Sequence, residues 1–210
     1  MLPTVASRAE GDVDLALLLW RFDEPRWVAS TGDVGGGVGE RNWVLNAQVP
    51  HDYCRRDLDA HAHELAETFS LHGRGVCLFT AAAVRRAHHA HDDGADAHAT
   101  VGLALPTWAA SPDDDPGVPA RAGTINVVVF LPVRLSDGGL LNLLTTATEA
   151  KAQALFDAGL AATGTASDAL CVVCPTAPSP ERFGGPRSRW GARVARAVHR
   201  AVLAGASERS

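Results

Sequence analysis

One stretch of the sequence, residues 123–168, constrains the fold more than any other. Residues 123–131 form an apolar run rich in valine, which predicts a buried strand. Residues 140–160 then repeat apolar side chains at helical spacing, and a second apolar run at 168–173 predicts another strand. Polar residues of several chemical kinds stand at the ends or in the middle of these apolar elements. A fold alone does not require such residues there, so function is sought first in this stretch.

The remaining segments predict strands early in the chain and helices mainly later. Apolar runs predict strands, helical spacing predicts helices, and clusters of glycine, proline and aspartate predict turns. The predicted elements are a strand at 15–22 with a hairpin partner at 26–31, a glycine-rich turn at 33–39, a strand at 43–49, a helix at 57–71, a strand at 75–79, one or two helical turns within 81–91, a strand at 97–105, a surface loop at 106–122, a helix at 187–203 and a flexible tail at 204–210. This order predicts an α+β (mixed α/β) fold, a single compact domain over residues 1–210 with a mixed or antiparallel sheet or sheets and helices packed on the outer faces.

Composition and charge argue against several classes of protein. The 210 residues are 46% hydrophobic, which is enough for one sizeable core. The net charge of −5 creates no positive field for nucleic acid or anionic lipid. No apolar run approaches the roughly 20 residues that span a bilayer, and the first residues do not read as an export signal. Four cysteines are too few for a disulfide scaffold, so a cytoplasmic location is expected.

The long helix places two charged residues on different faces. Lys151, the only lysine in the chain, falls within the apolar stripe, whereas Glu149 falls nearly opposite. Residues two apart on a helix do not face each other, so these side chains are expected to serve different neighbours. Lys151 either extends along its stem to solvent or is a partly buried ammonium that holds a carboxylate or polarises a substrate carbonyl. Ser136 or Asp137 is available to cap the helix.

Further polar residues lie at the beginnings of the two strands. Thr124 and Asn126 alternate with Ile125, so their side chains project to the same face. They either orient a water or a carbonyl, or form hydrogen bonds that serve only the fold. Residues 163–168 combine glycine, hydroxyls and a carboxylate before the next strand. Asp168 is accordingly either a general base or a turn residue.

Other motifs indicate structure more than chemistry. The glycines at 32, 35–37 and 39 fit no Gly-x-Gly-x-x-Gly phase, and predict a hairpin loop or a backbone close to a bulky ligand. The histidine- and aspartate-rich residues 88–98 contain no His-Glu-x-x-His motif and predict a solvated loop rather than a metal site. Cys171 and Cys174 are expected to be buried on opposite faces of one strand. The arginine stripe of the last helix predicts a solvated face.

Taken together, these segments resemble the adenosylcobinamide amidohydrolases, the CbiZ family of corrinoid salvage. The resemblance covers roughly residues 28–203. It is carried by Gly-Thr-Ile-Asn at residues 123–126 and Thr-Ala-Thr-Glu-Ala-Lys at residues 146–151. Further matching segments are Ser30 with the glycines at 35–37, residues 44–50, residues 79–82, residues 99–103, residues 163–165 with Asp168, and residues 184–186 before Gly191. Ala166 and Ser167 depart from the glycine and threonine that are usual in the family, and Phe79 stands where methionine is common.

The resemblance implies hydrolysis of adenosylcobinamide to adenosylcobyric acid and 1-amino-2-propanol. The corrinoid is then a small-molecule substrate; no cofactor and no metal are expected, and assembly into a homo-oligomer is left open. Amide hydrolysis needs a nucleophile or activated water, a carbonyl stabiliser and an acid for the leaving amine. Glu149 or Asp168 is the implied base, Lys151 or Asn126 the implied carbonyl stabiliser, and Thr124 or Thr165 the implied nucleophile or positioning hydroxyl. The implied substrate-binding residues are Ser30, Gly36, Gly37, Asn46, Thr100 and Thr165.

Two other functions are compatible with the same residues. One is a corrinoid-binding protein without catalysis, which the departures at Ala166 and Ser167 would allow. The other is a hydrolase of a different amide on the same scaffold. If the amidohydrolase hypothesis holds with the implied roles, Lys151→Ala and Glu149→Gln should each lower turnover more than about tenfold.

Overall fold

Eight strands and three helices make up the described part of the chain. A computed structural model describes residues 1–112, 123–178 and 180–208. The strands are β1 (Thr4–Glu10), β2 (Val13–Ser30), β3 (Gly37–Gln48), β4 (Gly75–Thr80), β5 (His88–Asp92), β6 (Ala95–Val101), β7 (Ile125–Phe130) and β8 (Ala169–Cys174). The helices are α1 (Leu58–Thr68), α2 (Asp137–Asp157) and α3 (Arg189–Ser207), with one 3-10 turn at Val84–Arg86.

All the described strands belong to one mixed sheet. Its order is β4-β3-β2-β8-β7-β6-β5, and β1 pairs with the first half of β2. The β3–β4 and β7–β8 pairs are parallel, and the other pairs are antiparallel. One apolar cluster joins α1 to β2, β3 and β4, and another joins α2 and α3 to β6, β7 and β8. The predicted α+β class, with a mixed sheet and helices on its outer faces, is confirmed.

The sheet is strongly curled, and its concave face holds a core of its own. Asn46 of β3 contacts Thr100 of β6 and Asn126 of β7, although β2 and β8 lie between β3 and β7 in the sheet order. Side chains that far apart in the order meet only where the sheet bends back on itself. The concave cluster contains Trp20, Val128 and their neighbours, and the helices cover the convex face. The curvature therefore brings polar residues of three separate strands together.

The hairpin predicted between 15–22 and 26–31 was wrong, because β2 is one long strand. Its two halves pair with the same partner, β3. Between Arg21 and Arg26 the register on β3 advances only from Trp43 to Arg41. The extra residues on β2, which include Pro25, form a local bulge instead of a chain reversal. The second half of β2 then pairs with β8 on its other side.

The histidine-rich stretch is a β-hairpin, so the prediction of a solvated loop was wrong there. Of the helical turns predicted within 81–91, one 3-10 turn is present at Val84–Arg86, and the residues from His88 onward belong to β5. β5 and β6 pair antiparallel, with Asp93 and Gly94 at the turn. Both turn residues have positive φ, 41° and 96°, as a tight hairpin requires. The face of β6 that packs against the helices consists of Ala95, Ala97 and Ala99. Alanine is too small and too common in helices to give a clear strand pattern.

The helices lie where the sequence predicts them, with ends that differ from the prediction by one to four residues. Ser136 caps α2 by accepting a hydrogen bond from the Gly139 N–H (3.1 Å), which confirms that prediction. α3 continues to Ser207, so residues 204–207, expected in a tail, are helical. Ala206 is buried in the core, and this contact extends the helix. Residues 113–122 of the predicted loop and 209–210 of the predicted tail lie outside the described residues.

Buried His98 makes the stability of the concave core dependent on pH. Its ring packs edge-on against Trp20, with centroids 5.3 Å apart. Burial first, and then the nearby His89, lower the pKa of His98 from 6.5 to about 4. The unfolded chain therefore binds this proton more readily than the folded chain, and stability is lost as the pH falls from about 6.5 to about 4. We expect this histidine alone to contribute a loss of about 3 kcal/mol across that window in urea unfolding.

The control for this prediction is His98→Gln, which keeps a polar side chain but does not titrate. Its free energy of unfolding should fall less steeply over the same pH range than that of the wild type. Equal slopes for the two proteins would show that His98 does not carry the effect.

Candidate active site

A buried network of polar side chains marks the concave face near the start of β7. Asn126 donates to Asn46 Oδ1 (2.9 Å) and to the backbone carbonyl of Phe79 (3.0 Å). Asn46 donates in turn to Thr100 Oγ1 (3.0 Å). The side chain of Asn126 is fully buried, with 0% exposure. Because a backbone carbonyl can only accept, the bond to Phe79 fixes which end of the Asn126 amide is the nitrogen.

Asn126 keeps one hydrogen-bonding atom unused. Both N–H donors of its amide are occupied, whereas its Oδ1 is buried without a partner among the described residues. Leaving such an acceptor unsatisfied costs about 1–3 kcal/mol, so it calls for an explanation. The atom is suited to accept an N–H or O–H of a ligand. A carbonyl stabiliser must donate instead, and Asn126 has no free donor for that role.

Two hydroxyls lie beside this network. Thr124 Oγ1 and Ser167 Oγ are 2.7 Å apart, and either can be the donor. The parallel pairing of β7 with β8 brings the residues that precede the two strands side by side. Ser167 Oγ also lies 3.3 Å from the carbonyl oxygen of Gly123. The predicted common face of Thr124 and Asn126 is confirmed, and the structure adds Ser167 to it.

These groups line a cleft of about 280 Å³. Its walls are largely apolar, with a few convergent polar groups, which is the usual form of a small-molecule site. The lining residues are Gly32, Asp33, Val49, Pro50, His51, Tyr53, Leu58, Cys77, Leu78, Phe79, Thr80, Ala81, Thr124, Asn126, Ser167 and Ala169. Burial raises the pKa of the Cys77 thiol far above its ordinary value, so this cysteine is a neutral thiol and a poor nucleophile.

Lys151 and Asp168 form a buried ion pair on the other face of the sheet. Lys151 Nζ donates to Asp168 Oδ2, and both side chains are only 7% exposed. Lys151 is on α2, which packs on the convex side, whereas Asn126 points to the concave side. Of the two alternatives for Lys151, the buried ammonium that holds a carboxylate is the one observed. The sheet therefore divides the predicted catalytic residues into two groups.

Asp168 has no free capacity to act as a base. Its oxygens accept from Lys151, from the N–H of Ile125 (2.9 Å), and from the N–H (3.0 Å) and hydroxyl (2.5 Å) of Thr165. A Cβ at Gly164 would lie 2.3 Å from Asp168 Oδ2 and 2.5 Å from Lys151 Nζ, so only glycine permits this approach. The Thr165 hydroxyl also lies 2.7 Å from the Gly123 carbonyl oxygen, so its single hydrogen is shared between two acceptors. Asp168 and Thr165 thus tie the loop before β8 to the start of β7, and Lys151 supplies the counter-charge of the Asp168 carboxylate.

Glu149 is not brought to the cleft. It lies on the exposed face of α2, opposite the stripe that contains Lys151, as the helical spacing predicts. We therefore expect Glu149→Gln to change turnover by less than about twofold, because an exposed side chain away from the reacting groups contributes little. Initial rates of amine release measure this directly. A fall of tenfold or more would restore the role first implied for Glu149.

The glycine cluster is a structural loop next to the cleft. Arg41 is buried and donates to the carbonyls of Gly35 (2.9 and 2.7 Å) and Gly36 (2.9 Å). Ser30 Oγ accepts from the N–H of Gly32 (3.1 Å). Gly32 lines the cleft, whereas Ser30, Gly36 and Gly37 are not among its lining residues. Of the predicted binding residues, Asn46 bonds to Asn126, Thr100 to Asn46 and Thr165 to Asp168, and none of these three lines the cleft.

Tyr53 and His61 were not among the residues predicted from the sequence. Tyr53 lines the cleft, and its hydroxyl lies 2.7 Å from Nδ1 of the buried His61. Two signals for them exist in the sequence. Tyr53 is the only tyrosine of the chain, and His61 falls at helical spacing from Leu58 and Leu65, on the buried side of α1.

Two kinds of feature are absent from the described residues. Within them, no group of three or more histidine, cysteine, aspartate or glutamate side chains is arranged to hold a metal ion. Among the helices in the same ranges, none has the length and apolar character needed to cross a membrane. Cys171 and Cys174 are both buried, on opposite faces of β8, as predicted.

Comparison with known proteins gives consistent matches over nearly the whole chain. The family model described as CbiZ, adenosylcobinamide amidohydrolase, matches residues 3–210. A Methanosarcina mazei protein named adenosylcobinamide amidohydrolase is 28% identical over 185 residues, which cover 84% of this chain and 88% of that protein. A Halobacterium salinarum protein of the same name is 30% identical over 192 residues, which cover 88% of this chain and 81% of that protein.

Proposed function

The chain belongs to the adenosylcobinamide amidohydrolase family, and on this premise we propose that it hydrolyses the amide bond that carries the aminopropanol arm of adenosylcobinamide. Membership in the family makes the chain an amide hydrolase. The proposed products are adenosylcobyric acid and 1-amino-2-propanol, so the reaction would return a corrinoid acid to cobamide synthesis. The corrinoid is the substrate in this proposal, and no cofactor is assigned.

The unpartnered Oδ1 of Asn126 is the observation that supports this proposal most. Its free lone pairs suit the N–H of a secondary amide. Thr124 lies two residues away on the same face of the chain, about 7 Å along it. An amide whose N–H bonds to Asn126 can therefore present its carbonyl carbon towards the Thr124–Ser167 hydroxyls.

The size of the cleft supports entry of the arm rather than of the macrocycle. Its volume of about 280 Å³ is below the ~300–1,000 Å³ typical for drug-sized ligands. Adenosylcobinamide is much larger than such ligands, whereas a hydroxypropyl amide is much smaller. In the proposed complex the arm enters between Val49, Leu58 and Leu78, and the corrin ring stays outside.

The hydroxyl of Thr124 is proposed to take part directly in the attack on the amide carbonyl. Either Thr124 Oγ1 attacks the carbonyl and forms an acyl-enzyme, or it holds the water that attacks. In both routes the nucleophile loses a proton and the leaving amine gains one. Asp33 and His51, exposed at the mouth of the cleft, are the lining residues suited to carry that proton. Ser167 departs from the usual threonine of the family, but it keeps the hydroxyl that bonds to Thr124.

The test is incubation of the protein with adenosylcobinamide in H₂¹⁸O, followed by mass spectrometry. We expect release of 1-amino-2-propanol, together with adenosylcobyric acid that carries one ¹⁸O in its new carboxyl group. Tight binding of an intact corrinoid would indicate the non-catalytic binding protein instead. Turnover of other amides without preference for the corrinoid would indicate a hydrolase with a different substrate.

A further inference from the structure

Tyr53 is held from behind by a partly buried chain of ionisable residues. Its hydroxyl lies 2.7 Å from His61 Nδ1, and Glu10 Oε1 lies 3.5 Å from His61 Nε2. Glu10 is in turn held by Arg8, whose guanidinium donates to it at 2.9 and 2.6 Å. His61 is only 3% exposed. Tyr53 lines the cleft, and these contacts fix the position of its hydroxyl.

This arrangement determines where the hydrogen of the Tyr53 hydroxyl points. The Glu10 carboxylate favours the hydrogen of His61 on Nε2, which leaves Nδ1 as an acceptor. The hydroxyl of Tyr53 then donates to Nδ1, and its oxygen lone pairs are left for the cleft. Burial raises the pKa of Tyr53 to about 12 and lowers the pKa of His61, so both groups are neutral near pH 7. Tyr53 thus offers the cleft an acceptor and no donor.

Phe79 connects this acceptor to Asn126. Its carbonyl accepts from Asn126 (3.0 Å), and its ring stacks on Tyr53 and His61 with centroids 6.0 and 5.0 Å apart. Asn126, Phe79 and Tyr53 line the same cleft, so a short chain whose amide N–H bonds to Asn126 can extend along Phe79 towards Tyr53. Among the described residues, the atoms with free capacity along this path are Asn126 Oδ1 and the Tyr53 oxygen, and both accept hydrogen bonds. They therefore suit a leaving group that has two donors.

We propose that Tyr53 determines specificity for the leaving amine, by accepting a hydrogen bond from the hydroxyl of the 2-hydroxypropyl arm. This inference rests on the proposed function, because it assigns the arm to the interior of the cleft. Tyr53 contacts the arm, whereas His61 is a positioning residue that acts through Tyr53. The apolar lining takes the methyl group of the arm.

The test compares two substrates in four proteins. The substrates are adenosylcobinamide and the propylamide of adenosylcobyric acid, which lacks only the hydroxyl of the arm. The proteins are the wild type, Tyr53→Phe, His61→Leu and Thr145→Val. Tyr53→Phe keeps the stacked ring, and Thr145→Val removes a hydroxyl from the exposed face of α2 as a control.

We expect the wild type and Thr145→Val to prefer the hydroxylated arm by about tenfold or more in kcat/KM, and Tyr53→Phe by less than about twofold. His61→Leu should give an intermediate preference. If a substitution only disturbed the structure, it would lower kcat/KM for both substrates and leave the ratio of the two values unchanged. Retention of the full preference by Tyr53→Phe, or no preference in the wild type, overturns the proposal. An unchanged ratio in His61→Leu overturns the role of His61.

Failure of the proposed function gives a different result. In that case the wild type releases no amine from either compound. Titration calorimetry with the same two corrinoids then tests the subsite by binding alone. A preference of about tenfold that Tyr53→Phe abolishes supports it, and equal dissociation constants overturn it.

Discussion

Lys151→Met is expected to lower the free energy of unfolding by about 3–5 kcal/mol, because it leaves the buried carboxylate of Asp168 without its counter-charge. Methionine retains the apolar stem that packs in the stripe of α2, so the change removes the charge with little loss of volume. Urea unfolding at constant pH measures the effect. A decrease of this size approaches the whole free energy of unfolding of many domains, so the unfolding of this variant should be measured at low temperature.

Gln153→Met is the matched control for this variant, because it introduces the same residue on the exposed face of the same helix. Its free energy of unfolding should change by less than about 0.5 kcal/mol. If Lys151→Met matched this control, the ion pair would not stabilise the fold. Turnover per folded molecule of Lys151→Met should stay within about threefold of the wild type, because the pair lies across the sheet from the cleft. This expectation replaces the loss first implied for removal of Lys151.

Thr124→Val should show the opposite behaviour, with a large loss of turnover and a small loss of stability. Valine keeps the shape of threonine but removes the hydroxyl that lies 2.7 Å from Ser167. We expect kcat to fall by about 100-fold or more, whether the hydroxyl attacks the amide or holds the attacking water. The free energy of unfolding should fall by about 1 kcal/mol, the usual value of one hydrogen bond.

Thr148→Val is the control for Thr124→Val, since it removes a hydroxyl that bonds only to a carbonyl of its own helix (2.9 Å). Its turnover should equal that of the wild type. Wild-type turnover by Thr124→Val would exclude this hydroxyl from the reaction. A trapped acyl-enzyme in the wild type would distinguish attack by Thr124 from attack by water.

The pattern of consecutive residues was sufficient to predict most of the strands and helices. The apolar runs of β7 and β8 and the helical spacing of α2 are features of consecutive residues, and the structure contains all three elements. The continuity of β2 was not visible, because it depends on pairing with β3 rather than on the residues between its halves. The β5–β6 hairpin was missed because alanine and histidine give a weak strand pattern.

The site was predictable only in part, for a topological reason. Spacing along the chain correctly placed Thr124 and Asn126 on one face of their strand. It also placed Lys151 and Glu149 on different faces of α2, since each of these results depends on the geometry of a single element. Which side of the sheet each face meets depends on the tertiary structure. The sequence therefore grouped Lys151 and Asp168 with Asn126, although the sheet separates them. Tyr53 belongs to a segment distant in sequence from β7, and only the tertiary structure brings it to the same cleft, with His61 of α1 in contact behind it.

A crystal structure of Thr124→Val with adenosylcobinamide would test most directly whether the amide is bound on the concave face. We expect the amide nitrogen within hydrogen-bond distance of Asn126 Oδ1, the hydroxyl of the arm on Tyr53, and the corrin ring outside the cleft. An amide bound at the convex face beside Lys151 and Asp168, with the cleft of Asn126 left unused, would contradict this account.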